Sequence, residues 1–255
     1  MIIFLSLQSC IADFDEDLRF NTQHCTRHSF HFSSFLIPNL NIPSIHRLPI
    51  PINHKYSEYF VHLGNSQIRV IETGNPTQTP VILLHGATFR AELWKTLGTM
   101  KHLASKGYRV LSVDLPRHGE SGNPQLSNDL LISEFADTLK LGMFNIVAHS
   151  YGGFYALPAL ANNPHRIISA VLISPTHITK YAADLKNVEA NTLILWGEKD
   201  ELIPVRKAYL LSELLEYSQL EIIPSASHEC YLDNVTVFHE KILEFFIKNK
   251  IHTTL

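Results

Sequence analysis

Two kinds of hydrophobic pattern alternate along the chain from about residue 57 onward. Short apolar runs are bounded by polar and turn-forming residues, and between them lie longer segments in which apolar positions recur at the spacing of a helix. Runs of the first kind predict strands at 59–63, 67–72, 81–84, 110–113, 145–148, 167–173, 192–196 and 220–223. Segments of the second kind predict helices at 91–106, 128–141 and 151–162, with further helices between and after the last strands.

The arrangement of these elements predicts the class of fold. Gly64-Asn65-Ser66 separates the first two strands and is a hairpin signal. The later strands are almost wholly apolar and are separated by helix-length segments, which is typical of a mostly parallel sheet covered by helices on both faces. Ligands bind such sheets beyond the carboxyl ends of the strands. Residues that directly follow a strand are therefore the first candidates for chemistry.

Residues 1–54 have a different pattern from the rest of the chain. They show no sustained period, and four prolines interrupt them, which predicts an irregular or disordered extension before a domain at 55–250. Removal of residues 1–52 should therefore leave that domain intact. The extension contains His24-Cys25-x-x-His28-x-x-His31, but it lacks a second cysteine pair and any evident helix, so we predict no metal site there.

Composition and charge mainly exclude classes of partner. The formal net charge is −3, and no block of Lys and Arg is long enough to follow a phosphate backbone, which argues against nucleic acid. No stretch reaches the roughly 18 apolar residues of a membrane span. The start, MIIFLSLQSC, lacks the basic residues of a secretory signal. Three scattered cysteines favour a reducing compartment, so we expect a cytoplasmic protein.

Three residues at the ends of separate predicted strands form a candidate catalytic triad. Ser150 lies in Ala148–Gly152 (AHSYG), close to the G-x-S-x-G turn that exposes a nucleophilic serine between a strand and a helix. Asp200 and His228 follow two later strands. The chain order Ser, Asp, His is that of α/β hydrolases and differs from those of chymotrypsin and subtilisin.

The chemistry of acyl transfer needs these residue types together. A serine hydroxyl is a weak nucleophile, so His228 would take its proton, and Asp200 would orient the imidazole. The oxyanion that forms needs preorganised donors. The backbone N–H groups of Tyr151 and of Ala87, which follows His85-Gly86 at another strand end, are the candidates.

Each member of the triad also has a structural interpretation. Ser150 could cap a helix, Asp200 could be a surface carboxylate, and His228 is one of fifteen histidines. The coincidence of the three residue types, in this order and at three strand ends, favours the catalytic interpretation. We expect His149 to form part of the pocket wall.

The chain resembles the α/β-hydrolase superfamily in these motifs and in one more. Asp114–Ser121 (DLPRHGES) is similar to the family turn D-x-P-G-x-G-x-S and departs from it at Arg117, where Gly is usual. Ala148, in place of the first glycine of the serine motif, is a second departure. The resemblance can be narrowed to the abhydrolase domain-containing protein 14 group. The runs that carry it are His85–Trp94 (HGATFRAELW), Leu97–Thr99 (LGT), Tyr155–Pro158 (YALP) and His228–Asp233 (HECYLD).

This resemblance implies a small serine hydrolase acting on activated short-chain esters. It also implies, more remotely, a protein-lysine deacetylase that passes the acetyl group to coenzyme A. We predict an α/β-hydrolase fold without a sizeable cap domain, because only residues 174–191 separate the strands where a cap is usually inserted. The core reaction should need no cofactor. A carbon–carbon bond hydrolase, an acyltransferase and a ligand-binding protein on the same scaffold remain alternatives.

Overall fold

The computed structural model describes residues 55–163 and 165–250. The extension predicted at residues 1–54, with the histidines and the cysteine considered as metal ligands, lies outside the described residues. The start of the domain at residue 55 therefore stays a prediction. Within the described part of the chain, no helix is long and apolar enough to cross a membrane.

The centre of the fold is an eight-stranded sheet with the order β1-β2-β4-β3-β5-β6-β7-β8. The pairs β1–β2 and β2–β4 are antiparallel, and all other neighbours are parallel. This confirms the predicted hairpin followed by a parallel sheet. The strands are β1 Ser57–Leu63, β2 Ser66–Thr73, β3 Thr79–Leu84, β4 Tyr108–Val113, β5 Phe144–His149, β6 Ile167–Ile173, β7 Asn191–Gly197 and β8 Ser218–Ile223.

Helices connect the strands, and one of them differs from its prediction. The single helix expected at 91–106 is two helices, because Gly98 adopts a left-handed φ of 79° that ends the first and starts the second. A 3₁₀ turn, Ser150–Gly152, precedes the helix after β5. The helices are α1 Glu92–Thr96, α2 Thr99–Ser105, α3 Asn128–Thr138, α4 Gly153–Asn162, α5 Ala182–Leu185, α6 Arg206–Leu214, α7 Cys230–Asp233 and α8 Val235–Lys250.

Both faces of the sheet are buried, as the apolar strands predict. In β3, Ile82 and Leu84 lie in one core with α3, α4 and α6, whereas Val81 and Leu83 lie in the other with α1, α2 and α8. Successive side chains of a strand point to opposite faces, so a strand buried on both sides reads as a continuous apolar run.

The parallel strands bring their carboxyl ends to one edge of the sheet. β3, β5, β7 and β8 run in the same direction, so the loops that follow them meet there. Between β6 and β7, the only helix is the four-residue α5. The expectation that no sizeable cap domain is inserted at this point is therefore confirmed.

Candidate active site

The chain makes a sharp elbow at Ser150, directly after β5. Ser150 has a φ of 49°, in the left-handed region that side-chain-bearing residues rarely adopt. A β-carbon on Gly152 would lie 3.0 Å from Cβ of Leu84, and one on Gly153 would lie 2.6 Å from Cβ of Pro175. The two glycines therefore let the start of α4 pack closely against β3 and the segment after β6. The strand, the strained serine and the helix match the strand–turn–helix geometry that the sequence pattern around Ser150 predicts.

The carbonyl group of Ser150 holds this elbow in place. It accepts hydrogen bonds from the backbone N–H of Thr176, at 3.0 Å, and from the Thr176 hydroxyl, at 3.2 Å. Thr176 lies in the short segment after β6, where Ser174 and His177 also have positive φ values. Strained backbone of this kind persists only where surrounding contacts determine it. The segment thus helps to fix the serine.

Asp200 and His228 contact each other at the same edge of the sheet. Oδ2 of Asp200 lies 2.8 Å from Nδ1 of His228, and Oδ1 accepts the backbone N–H groups of Leu202 at 3.0 Å and Ile203 at 2.8 Å. The Asp200 side chain is 0% exposed and that of His228 is 6% exposed. The carboxylate thus holds a proton on Nδ1 and leaves Nε2 as the basic nitrogen.

His149 connects the elbow to the His228 loop. The centroid of its ring lies 4.9 Å from that of His228 and 4.9 Å from that of Tyr231. Its Nδ1 is 3.3 Å from the Tyr231 hydroxyl. Burial, and then the neighbouring charge of His228, hold the pKa of His149 well below its ordinary value. His149 therefore packs as a neutral ring against the imidazole of His228, and its place in the pocket wall stays a prediction.

The loop after β3 carries Ala87, the predicted second oxyanion donor. The Gly86 carbonyl accepts hydrogen bonds from Nδ1 of His85, at 2.8 Å, and from the backbone N–H of Phe89, at 3.0 Å. The N–H of Ala87 belongs to the same trans peptide unit and points the opposite way. A β-carbon on Gly86 would lie 3.4 Å from Cβ of Ser150, so this peptide lies beside the serine.

His85 fixes the shape of that loop as a neutral ring. Its Nε2 accepts the backbone N–H of Leu115, at 3.0 Å, which leaves the proton on Nδ1. Burial lowers the pKa of His85 to about 4. Sequence patterns did not assign this role, because the hydrogen bond joins the loops after two different strands.

The turn after β4 has Arg117 at the position where the family pattern has glycine. Arg117 adopts a φ of 66°, the conformation for which glycine is the usual residue. The turn is closed around the buried carboxylate of Asp114, which accepts the backbone N–H groups of Ala91 at 2.7 Å and Glu120 at 2.9 Å. Arg69 pairs with the same carboxylate at 3.2 Å. Contacts with the buried Asp114 carboxylate therefore hold this turn, with Arg117 in the left-handed conformation.

Half-buried rings form a row beside the elbow, which we call the aromatic row: His118, Tyr151, Phe154 and His177. The ring centroids of His118 and Tyr151 are 5.4 Å apart, those of Tyr151 and Phe154 are 5.6 Å apart, and those of Phe154 and His177 are 4.5 Å apart. The row joins the loops after β4 and β6 across the start of α4. No pattern in the sequence indicated it, because His118 and His177 lie in the loops after β4 and β6, whereas Tyr151 and Phe154 lie in the 3₁₀ turn and in α4.

Within residues 55–163 and 165–250, no cluster of three or more His, Cys, Asp or Glu side chains could hold a metal ion. The contacts found at the site are the carboxylate–imidazole contact between Asp200 and His228 and the hydrogen bonds that Thr176 donates to the Ser150 carbonyl.

Comparisons with known proteins agree with this architecture. The family model of the α/β hydrolase fold matches residues 79–188. Protein ABHD14A of Mus musculus is 32% identical over 191 residues, which cover 71% of this chain and 77% of that protein. The putative protein-lysine deacylase ABHD14B of Rattus norvegicus is 32% identical over 180 residues, covering 68% of this chain and 85% of that protein.

Solved structures show the same fold at lower sequence identity. A predicted CIB-like hydrolase from Thermoplasma acidophilum has a TM-score of 0.72 and 19% identity, covering 76% of this chain and 98% of that one. Carboxylesterase CesB from Bacillus subtilis has a TM-score of 0.67 and 18% identity, covering 75% of this chain and 92% of that one.

Proposed function

The chain belongs to the α/β-hydrolase family, as a relative of the ABHD14 group, and we propose that it cleaves short-chain acyl esters through an acyl-enzyme intermediate. In this proposal Ser150 is the nucleophile, His228 the general base and Asp200 the orienting acid. The observation that carries it is the 2.8 Å contact between Asp200 and His228, at the sheet edge where Ser150 occupies a strained elbow.

The first half of the reaction acylates the serine. Oγ of Ser150 attacks the ester carbonyl carbon while Nε2 of His228 takes the hydroxyl proton. Asp200 stabilises the resulting imidazolium through Nδ1. The N–H groups of Ala87 and Tyr151 stabilise the oxyanion, each contributing roughly 10²–10³ in rate. When the carbon–oxygen bond to the leaving alcohol breaks, His228 returns the proton to that alcohol.

The second half releases the acyl group. His228 takes a proton from water, whose oxygen attacks the acyl carbon, and the same two N–H groups stabilise the second oxyanion. As the bond to Ser150 breaks, the proton passes from His228 to Oγ. The products are a carboxylic acid and the regenerated serine, and no external oxidant or reductant is consumed.

The preference for short acyl groups is supported by the segment between β6 and β7. A cap domain would supply apolar surface for a long chain, and here that segment contains only the four-residue helix α5. Each buried methylene contributes about 0.8 kcal/mol, so a site without such surface gains little from a longer chain.

A second candidate function is deacylation of protein lysine, with coenzyme A as a possible acceptor in place of water. It is favoured by the relative named a putative protein-lysine deacylase. The same absence of a cap would allow a large acyl donor or acceptor to approach Ser150. Hydrolysis of an acetyl-lysine peptide, measured with and without coenzyme A, separates this candidate from a simple esterase.

We also propose a cytoplasmic location. The support is the sparse cysteine content of the chain, with three cysteines in 255 residues. Cys230, in the described part of the chain, is a buried free thiol.

Covalent labelling tests the proposal directly. A fluorophosphonate probe should modify Ser150 in the wild-type protein, and peptide mass spectrometry should locate it there. Ser150→Ala should abolish labelling, and Ser150→Ala and His228→Ala should each lower ester turnover by roughly 10⁴–10⁶. Ser133→Ala, on the far helix α3, is the matched control. A folded wild-type protein that neither labels nor turns over esters would instead be a ligand-binding protein.

A further inference from the structure

Strained backbone is concentrated at the site edge of the sheet. In the described part of the chain, six residues other than glycine have a positive φ: Arg117, Lys140, Ser150, Ser174, His177 and Ser225. Five of them lie in loops that follow the parallel strands β4, β5, β6 and β8, at the edge where Asp200 and His228 meet. Lys140 is the exception, because it follows α3 and precedes β5. Strain of this kind tends to be retained at functional sites.

Arg117 differs from the others because the family pattern has glycine at this position, and glycine adopts a positive φ without strain. Its side chain is exposed, and it makes no ion pair or side-chain hydrogen bond with any of the described residues. Arg69 provides the contrast: it is buried and pairs with Glu58 and Asp114 at 2.8 and 3.2 Å. Arg69 therefore has a structural role. The backbone of Arg117 is held in the turn by the hydrogen bond from its N–H to the Gly122 carbonyl, at 2.9 Å, but no side-chain contact with the described residues explains its charge.

In the sequence, Arg117 adjoins the aromatic row beside the Ser150 elbow. It immediately precedes His118, whose ring packs 5.4 Å from that of Tyr151, the residue after Ser150. The Tyr151 hydroxyl lies 3.4 Å from that of Tyr155. Burial raises the pKa of Tyr155, and the positive charge of Arg117 acts against this rise.

We propose that Arg117 is a specificity-determining residue that binds a carboxylate on the substrate ester. A guanidinium presents a planar fork of donors that matches a carboxylate. The adjacent aromatic row offers ring faces against which a planar substrate can pack. An aryl ester with a carboxylate on the ring combines both features. This inference rests on the proposed esterase function and adds the charge of the substrate to it.

The test compares two esters that differ in one charge. 4-Acetoxybenzoate carries a carboxylate at neutral pH, and its methyl ester does not, while both transfer the same acetyl group. The measured quantity is the ratio of kcat/KM for the charged ester to that for the neutral one. Arg117→Gln and Arg117→Gly should lower this ratio roughly 3- to 10-fold, as expected for one solvent-exposed charge-assisted contact. Added salt screens the charges, so it should reduce the difference in this kcat/KM ratio between the wild type and the Arg117 variants.

Lys140 supplies matched controls. It is also cationic, exposed and left-handed, with a φ of 50°, but it lies at the opposite end of β5 from Ser150. Lys140→Gln and Lys140→Gly each remove one positive charge, as the Arg117 variants do. Lys140→Gly also removes the backbone strain of a left-handed residue, as Arg117→Gly does. Both should leave the ratio at its wild-type value. Arg117→Gly and Lys140→Gly should both have thermal midpoints at or above that of the wild type.

The outcomes separate this inference from the function on which it rests. If neither ester is hydrolysed by the wild-type protein, the proposed esterase function is wrong. If both are hydrolysed and the Arg117 variants keep the wild-type ratio both for this pair and for the succinate pair described next, or the Lys140 variants change it equally, the carboxylate assignment is overturned. A mono-aryl succinate and its neutral methyl ester, run in parallel, place the charge on the acyl side. A loss confined to one pair assigns Arg117 to that side of the ester.

Discussion

Oδ2 of Asp200 lies 2.8 Å from Nδ1 of His228, and this contact joins the loops after β7 and β8. The other carboxylate oxygen is held by the backbone N–H groups of Leu202 and Ile203. The Asp200 side chain is fully buried, so it cannot turn toward solvent. The imidazole of His228 therefore has one favoured tautomer, with its proton on Nδ1.

Asp200→Asn should preserve the fold and remove most of the activity. The amide oxygen can still accept the two backbone N–H groups, while the amide NH₂ faces Nδ1 and forces the proton onto Nε2. A base in the wrong tautomer should lower kcat by about 10⁴. The exposed Asp184→Asn is the control and should match the wild type. Ester kinetics measure the loss of activity, and thermal midpoints measure whether the fold is preserved. A folded Asp200→Asn protein with more than a tenth of wild-type kcat would contradict the role assigned to Asp200.

Ser150→Gly should be more stable than Ser150→Ala. Both lack the hydroxyl group, but only glycine adopts a φ of 49° without strain. The difference in the free energy of unfolding should be about 1 kcal/mol. Urea unfolding of the two inactive proteins provides the measurement. At Ser133, inside helix α3, the same pair of substitutions should show the reverse order, with alanine the more stable by roughly 0.5–1 kcal/mol. Equal stability at Ser150 would mean that the elbow is not strained.

Gly86→Ala should impair catalysis more than stability. The added β-carbon would lie 2.7 Å from Nδ1 of His149 and 3.4 Å from Cβ of Ser150. The loop after β3, which carries the proposed oxyanion donor Ala87, must therefore move, and the loss of one aligned donor should lower kcat by about 10²–10³. Gly142→Ala is the control, since its β-carbon would meet nothing within 4 Å. The prediction is wrong if both variants retain wild-type kcat.

Stability should fall as the pH is lowered from about 6.5 to 4. Burial lowers the pKa of His85 and of His239 to about 4, whereas an unfolded histidine titrates near 6.5. Between these values the unfolded chain binds more protons than the native one, so the free energy of unfolding rises with pH in this window and levels off above it.

His239→Gln isolates one of these groups away from the site. His239 stacks on His102 and contacts the Thr99 hydroxyl at 2.9 Å. Burial lowers the pKa of His102; the charge of Lys106 also lowers it, whereas that of Glu240 raises it. Near pH 5 the variant should take up about one proton fewer on unfolding than the wild type does. The urea concentration at its unfolding midpoint should therefore depend less on pH than that of the wild type. Identical pH dependence in both proteins would exclude His239 as a contributor.

Specific activity should be highest for acetyl to butyryl esters. The segment between β6 and β7 contains only α5 and offers little surface for a long acyl chain. The check is kcat/KM for p-nitrophenyl esters with acyl chains from about two to twelve carbons, where each methylene buried in a groove would raise affinity by roughly fourfold. A steady rise toward the longest chains would indicate a lipase-like groove.

Much of the fold could be predicted because burial and period are local properties of the sequence. Ile167–Ile173 was predicted as a strand from its apolar run, and the structure has a strand with the same bounds. The order of Ser150, Asp200 and His228 after separate strands identified the candidate site before any geometry was available. Their catalytic roles stay predictions, but their positions at the carboxyl ends of β5, β7 and β8 follow from the predicted strands.

The tertiary structure decided what depends on residues that are distant in the sequence. The order of the strands places β3 between β4 and β5, which brings the His85 ring to the N–H of Leu115 and Gly86 to Ser150. The pairing of β7 with β8 brings Asp200 to His228. Hydrophobic periodicity records which face of an element is buried, but not against which element it packs. Sequence alone therefore determined the elements and the candidate residues, whereas pairing between strands decided the contacts that could make them a site.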